Sequence, residues 1–246
     1  MTERLLHFLA IVLFLLLVWQ GIVWATGIPP FLLPPPATVA QTLWASRAQL
    51  GSHALVTLAE IIGGLALGIL FGTMSALILQ ASRLARFLLL PAILISQAIP
   101  VFALGPIFML WFGYGIATKI LITLIIIYFP ITIAAYDGLR NTPAAWLDLA
   151  RSMDASPWHT LIHIRLPAAL PSFASGLRVA ATIAPIGAII GEWVGGSQGL
   201  GYLMTYGLGR MQTSLMFAAL VVLAAITLAL YYSIDWLLKK WIDWTV

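Results

Sequence analysis

Apolar residues gather in six long runs separated by shorter polar connections, at 8–25, 55–79, 87–112, 116–136, 170–194 and 215–238. A helix needs about 20 mostly apolar residues to cross a bilayer. The pattern therefore predicts an all-α polytopic membrane protein with six transmembrane helices. The first run has a second reading, because Arg4 ahead of an apolar stretch also resembles a signal peptide, with Val23-Trp24-Ala25 as a cleavage site. Its length exceeds the roughly 15 residues of a signal core, so it is read as an uncleaved span.

The connections differ in character. Pro29-Pro30 and Pro34-Pro35-Pro36 stiffen the approach to a short interfacial helix near 39–47. Gly113-Tyr114-Gly115 reads as a tight turn. The longest polar interruption late in the chain is 137–167. Nothing suggests a repeat or a separable soluble domain, so 1–246 is expected to form one transmembrane unit.

Composition sharpens this picture. Of 246 residues, 62% are hydrophobic and only 8% charged, against roughly a quarter charged in a soluble domain, so lipid is the expected solvent. With no cysteine, disulfides and thiolate metal sites are excluded. The net charge of +4 comes from basic residues standing singly at the ends of apolar runs, which argues for membrane topology and against a nucleic-acid partner. With both termini cytoplasmic, Arg4, Arg83, Arg86, Arg140, Arg151, Arg165, Lys239 and Lys240 lie inside; Arg47, Lys119 and Arg210 lie outside. Eight against three is a positive-inside bias, and it sets the orientation.

The 137–167 segment has the grammar of two short helices. Thr142-Pro143 reads as an N-cap followed by proline at the first helical position. Trp146, Leu149, Ala150 and Met153 then share one apolar face, with Asp148 and Arg151 turned elsewhere. Ser156-Pro157 repeats the start signal before Trp158, Leu161 and Ile162. These faces either pack on the protein's own inner helix ends or dock a partner; the pattern leaves both open.

Asp148-Leu149-Ala150, three residues, Asp154, nine residues, then Ile164-Arg165-Leu166-Pro167 resembles the EAA signature of ABC importer permeases. In that signature Glu-Ala-Ala, Gly and Ile-x-Leu-Pro occur at the same spacing, in the inner loop before the penultimate span. The resemblance extends over almost the whole chain. Ser96 to Pro106 and Gly191 to Tyr202 are similar to the nitrate, sulfonate and taurine group, and within it to permeases for pyrimidine precursors of thiamine.

This resemblance implies a type I ABC importer permease fold in the bacterial cytoplasmic (inner) membrane. It implies an ABC ATPase that docks on Asp148, Leu149, Ala150, Asp154, Ile164, Leu166 and Pro167. It also implies an extracytoplasmic substrate-binding protein, a second permease copy in a homodimer, and no cofactor. Two residues depart from the signature. Asp148 replaces Glu with shorter reach, and Asp154 replaces Gly where the chain must turn; Asp tolerates the left-handed backbone at modest cost.

Candidate pathway residues follow from polar or ionisable groups at membrane depth. Pro100 and Pro106 are expected to interrupt the third span, with Ser96 and Gln97 just before the break and Phe102 just after it. Such a break lines a wet cavity or is satisfied by neighbouring helices. In the fifth span Gly176, Ala180, Ala184 and Ala188 form a small-residue row continued by Glu192, with Pro185 suggesting a bend. Glu192 and Trp193 gate the path or meet substrate on one reading; on the other they are interfacial residues. Arg178 is expected to pair or snorkel, Glu60 is open to either role, and Gly64, Gly68 and Gly72 suggest close packing. His159 and His163 have zinc-pair spacing without a third ligand and read as surface residues.

The chain has no phosphate loop, and its lysines are Lys119, Lys239 and Lys240, so it cannot itself hydrolyse ATP in the usual way. An intramembrane enzyme would need a catalytic constellation that these scattered ionisable residues do not supply. A channel or ion-coupled carrier would be expected to show internal pseudo-symmetry and midplane charges. The solute expected is a small polar organic molecule, a thiamine pyrimidine precursor in the first instance and a sulfonate, taurine or nitrate in the second.

Overall fold

The computed structural model describes residues 2–242. The side chains at 2–5 and 8, Arg4 of the charge argument among them, and the chain ends at 1 and 243–246 lie outside the described residues. Every regular element among the described residues is helical. Five helices are long and apolar enough to cross a bilayer, and a sharply bent pair brings the number to six.

α1 (Thr2–Thr26) stands apart from the bundle, its apolar side chains outward, and touches it through Trp19, whose ring lies 5.3 Å from that of Phe217. After the prolines, a short helix, α2 (Pro36–Ala45), starts three residues earlier than the pattern predicts, with Pro36 in its first turn. α3 (Arg47–Ala81) is far longer than the apolar run that marks it, because nothing in 47–54 stops a helix once it leaves the apolar layer. α6 (Ile116–Arg140) likewise overruns its apolar run at its C-terminal end.

The third run is two helices, α4 (Arg83–Ser96) and α5 (Val101–Phe112), bent by 102°. The break at Pro100 is as expected. Pro106 does not break the chain: it sits inside α5, and its missing N–H is tolerated one turn and a half into a helix that continues to Phe112.

The inner segment differs in detail from its sequence reading. Pro143, not Thr142, caps α7 (Ala144–Ser152). The Thr142 hydroxyl instead donates to the Leu139 carbonyl at 3.1 Å, closing the end of α6. Ser156 does cap α8 (Pro157–Thr160), accepting from the His159 N–H at 3.3 Å. α8 is no separate element, however. It passes through a π-helical turn (Leu161–Arg165) into α9 (Leu166–Gly195), and the wider turn absorbs the N–H that Pro167 lacks. α10 (Leu200–Gly209) was not foreseen, and α11 (Thr213–Trp241) completes the bundle.

The core lies where α6 packs between α3 and α9. Gly64, Gly68 and Gly72 bring α3 against Thr123, Ile127 and Ile131 of α6; a Cβ on Gly68 would stand 2.8 Å from Ile127 Cδ1. The row of Ala180, Ala184 and Ala188 is fully buried on α9, and a Cβ on Gly187 would stand 2.6 Å from the Thr123 backbone. Small residues here are the condition for backbone approach, as expected. Arg178 pairs with Asp235 of α11 at 2.8 Å, and Lys239 reaches the other oxygen at 2.7 Å.

Candidate functional site

At one end of the bundle, the α6–α9 crossing brackets the segment read from the sequence as a docking element. A Cβ on Gly138 would lie 2.8 Å from the Ala169 carbonyl oxygen, so the two helices meet backbone to backbone. The Leu139 carbonyl accepts from Arg165 Nη1 at 3.2 Å as well as from Thr142, which ties both ends of the segment to one point. Between them, Asp154 turns the chain at φ 51°, a left-handed residue, while the Ala155 N–H bonds back to the Ala150 carbonyl at 3.0 Å. Asp at this position thus makes the turn that Gly makes in the signature.

The apolar face of α7 is not covered by the chain itself. Trp146, Leu149 and Met153 are 52%, 62% and 73% exposed, although Ala150 beneath them is buried. They border a cavity of about 280 Å³ with Ala150, His163, Ile164 and Pro167. Of the seven docking residues read from the sequence, Leu149, Ala150, Ile164 and Pro167 line this one cavity. Asp148 lies outside it in an exposed pair with Arg151 at 2.9 Å, Asp154 forms the turn, and Leu166 faces a separate small apolar cavity against Ala135 and Leu139.

At the other end of the bundle the polar groups are buried. Glu192, 1% exposed near the end of α9, accepts from the Thr57 hydroxyl at 2.6 Å, from the Gly201 N–H, and from the Tyr202 N–H at 3.2 Å. The Leu200 N–H bonds to Thr57 Oγ1 at 2.8 Å, and the Gly199 N–H to His53 Nδ1 at 2.9 Å. Four successive N–H groups that open α10 are thereby satisfied by side chains of α3 and α9. A carboxylate is the fitting acceptor at a helix N-terminus. Gly199 makes the approach possible: its φ is +113°, and a Cβ there would overlap the Glu192 carboxylate.

Alongside, Lys119 Nζ lies 2.9 Å from Glu60 Oε1, with Lys119 5% and Glu60 0% exposed. Neither Glu60 oxygen accepts a hydrogen bond of good geometry. Lys119 also donates to the Gln198 carbonyl at 3.3 Å, fixing the turn before α10. The sequence reading counted Lys119 as an outer loop charge; it is a buried partner, and the bias becomes eight against two.

The other pathway candidates do not join this cluster. Ser96, Gln97 and Pro100 are exposed at the bend between α4 and α5; Ser96 Oγ donates to the Ile93 carbonyl at 2.7 Å and Gln97 to Ser96 Oγ at 3.4 Å. Phe102 and Trp193 are also exposed. Thr57, His53, Lys119 and the whole of α10 were missed. The available signal was the glycine-rich stretch Gly195-Gly196-Ser197-Gln198-Gly199 next to a conspicuous acid. Among the described residues no group of His, Cys, Asp and Glu is arranged to hold a metal ion.

The family model described as binding-protein-dependent transport system inner membrane component matches residues 68–242. A Haemophilus influenzae protein named "Probable ABC transporter permease protein" is 56% identical over the full length of both chains. The formylaminopyrimidine transport permease ThiX of Halalkalibacterium halodurans is 39% identical over 77% of this chain and 76% of its own. The riboflavin permease RibX of Chloroflexus aurantiacus is 37% identical over 96% and 89%. Among solved structures, an inward-facing form of the MetNI methionine ABC transporter superposes with a TM-score of 0.69 at 20% identity, covering 80% of this chain and 97% of that one.

Proposed function

Since the chain belongs to the family of binding-protein-dependent transport system inner membrane components, and is a permease subunit of an ABC importer, we propose that it carries a pyrimidine precursor of thiamine into the cytoplasm by ATP-driven alternating access. The observation that carries the ATP-driven part of the proposal is the uncovered apolar face of α7, held on a segment anchored at both ends to the α6–α9 crossing. An ATPase seated on Trp146, Leu149, Ala150 and Met153 would push on two spanning helices at once. Asp148 and Asp154 serve this docking by their place on α7 and at its turn, Ile164 and Pro167 by closing the groove, and Leu166, itself exposed, by bordering the small cavity against Ala135 and Leu139.

On this reading both termini are cytoplasmic and a binding protein delivers solute to the opposite face. Two copies of the chain present one docking segment to each of two ATPase subunits. Ser96, Gln97, Pro100, Phe102 and Trp193 are exposed on the single chain and face the path or the second copy; Glu192 acts on the path through α10. The similarity to ThiX supports the pyrimidine, and the nearly equal similarity to RibX favours a flavin as the second reading.

The test is uptake of radiolabelled hydroxymethylpyrimidine by cells with and without this gene, in competition with riboflavin and taurine. Gene-dependent uptake blocked only by unlabelled pyrimidine is expected. Uptake that follows riboflavin or taurine instead overturns the substrate, and uptake that survives loss of ATP but follows an ion gradient overturns the mechanism.

A further inference from the structure

The buried Glu192 cluster is roofed by a cavity that none of the transport argument has used. It measures about 310 Å³ and is lined by Gln49 and His53 of α3, Ser197 and Gln198 of the turn, and Tyr202 and Tyr206 of α10. That volume falls at the small end of the roughly 300–1,000 Å³ of small-molecule sites. Whereas the two cavities against α9 at Phe173 are almost wholly apolar, this one gathers two amides, a hydroxyl, an imidazole and two phenol rings.

The lining is arranged in advance. His53 Nδ1 accepts the Gly199 N–H, so in the neutral ring the proton resides on Nε2, and that N–H is the donor His53 has left to offer. The His53 and Tyr202 rings stack with centroids 5.8 Å apart and planes 21° from parallel, and Tyr206 continues the series 5.9 Å from Tyr202. The turn carrying Ser197 and Gln198 is pinned by Lys119, and the first turn of α10 by Thr57 and Glu192. The backbone of the turn and the aromatic rings are thus held before a ligand arrives, which lowers the cost of binding one.

Its charge selects the ligand. No Asp, Glu, Lys or Arg side chain lines the cavity; the Glu192 carboxylate below is buried and occupied by its three donors. The Arg210 guanidinium sits over the Tyr206 ring, 4.5 Å from its centroid, and is not among the lining side chains. A sulfonate or nitrate would require a cation within the lining to offset its desolvation. Amides and a hydroxyl beside aromatic faces instead suit a flat molecule with ring acceptors and an exocyclic amine.

We infer that this cavity is a substrate subsite at the outer mouth of the permease, taking a neutral, planar, amino-substituted nitrogen heterocycle. The inference rests on the proposed transport of such a solute and adds where the solute is first held. It also gives the Glu192 cluster a consequence: a ligand touching His53, Gln198 and Tyr202 touches the residues that position the start of α10.

The chain contains no cysteine, so a single introduced one is a unique label. The test places Ser197→Cys, and separately Gln49→Cys, in the permease co-expressed with its ATPase, and treats right-side-out vesicles with a membrane-impermeant maleimide. Both positions are exposed and are expected to react. Hydroxymethylpyrimidine at ten times its Kd is expected to slow labelling about tenfold, taurine not at all, and Tyr202→Ala to abolish the protection while labelling persists. Labelling at both positions that is indifferent to pyrimidine, or cysteines that react only from the cytoplasmic side, would overturn the subsite. Protection by taurine would overturn the heterocycle assignment. Uptake by the same wild-type cells separates the two claims: pyrimidine import without protection rejects the subsite and leaves the transport reading standing, and no pyrimidine import rejects that reading first.

Discussion

The two ends of the α3–α6–α9 core solve opposite problems. Away from the docking segment, ionisable groups are drawn inside and given partners: Glu192 by three donors, Glu60 by Lys119, four N–H groups of α10 by side chains. At the docking end, apolar groups are pushed out and given none: Trp146, Leu149 and Met153 stand open on α7. Burying charge without full compensation costs stability, and exposing an apolar face to water forgoes it. A single chain carrying both features fixes α10 by internal contacts and leaves the α7 face uncovered, as the proposed docking requires. Substitutions at the first end should therefore damage the fold, and at the second the assembly.

The largest effect is expected from splitting the buried pair. Glu60→Ala strands Lys119 in a site 5% exposed and should lower stability by roughly 3–5 kcal/mol, read as a drop in thermal stability of the purified chain in detergent. Glu60→Met with Lys119→Met removes both charges and should recover most of that loss, by the same reasoning. Recovery failing to appear would mean the pair does more than compensate itself.

Gly199→Ala comes next. It forces a side chain into φ +113° and into the Glu192 carboxylate, and should cost about 1–3 kcal/mol, measured the same way, with increased maleimide access to cysteines on α10. At the docking end Asp154→Val should cost about 1–2 kcal/mol because a β-branched residue resists φ +51°, whereas Asp154→Gly should stay within about 1 kcal/mol of wild type. The smallest effect is that of Leu149→Asp on the isolated chain. At 62% exposure it should move thermal stability by less than about 0.5 kcal/mol, although it alters the face proposed to seat the ATPase.

Length and apolarity made the spans legible, since crossing a bilayer demands both and little else satisfies the demand. The close-packed glycines at 64, 68 and 72 are legible as a local rule, and the left-handed turn at Asp154 through the resemblance to a signature that has Gly there. What failed were features decided by neighbours. Lys119 looks like a loop charge until Glu60 is seen across from it on another helix. α10 is short, glycine-bounded and polar at its start, so its existence depends on acceptors supplied from α3 and α9. Thr142 has the residue type of a cap, but the Leu139 carbonyl competes for its hydroxyl and wins. Pro106 breaks a helix in isolation, yet α5 continues through it where Gly105 packs against Val194 of α9.

The most direct test of the docking claim is to solubilise the tagged chain from its native membrane in mild detergent and identify co-purifying proteins, for the wild type and for Leu149→Asp. The account predicts that a Walker-motif ATPase accompanies the wild type and is lost from the variant, while both chains show the same thermal stability. An ATPase retained by Leu149→Asp, or absent from the wild type under several gentle conditions, would contradict it.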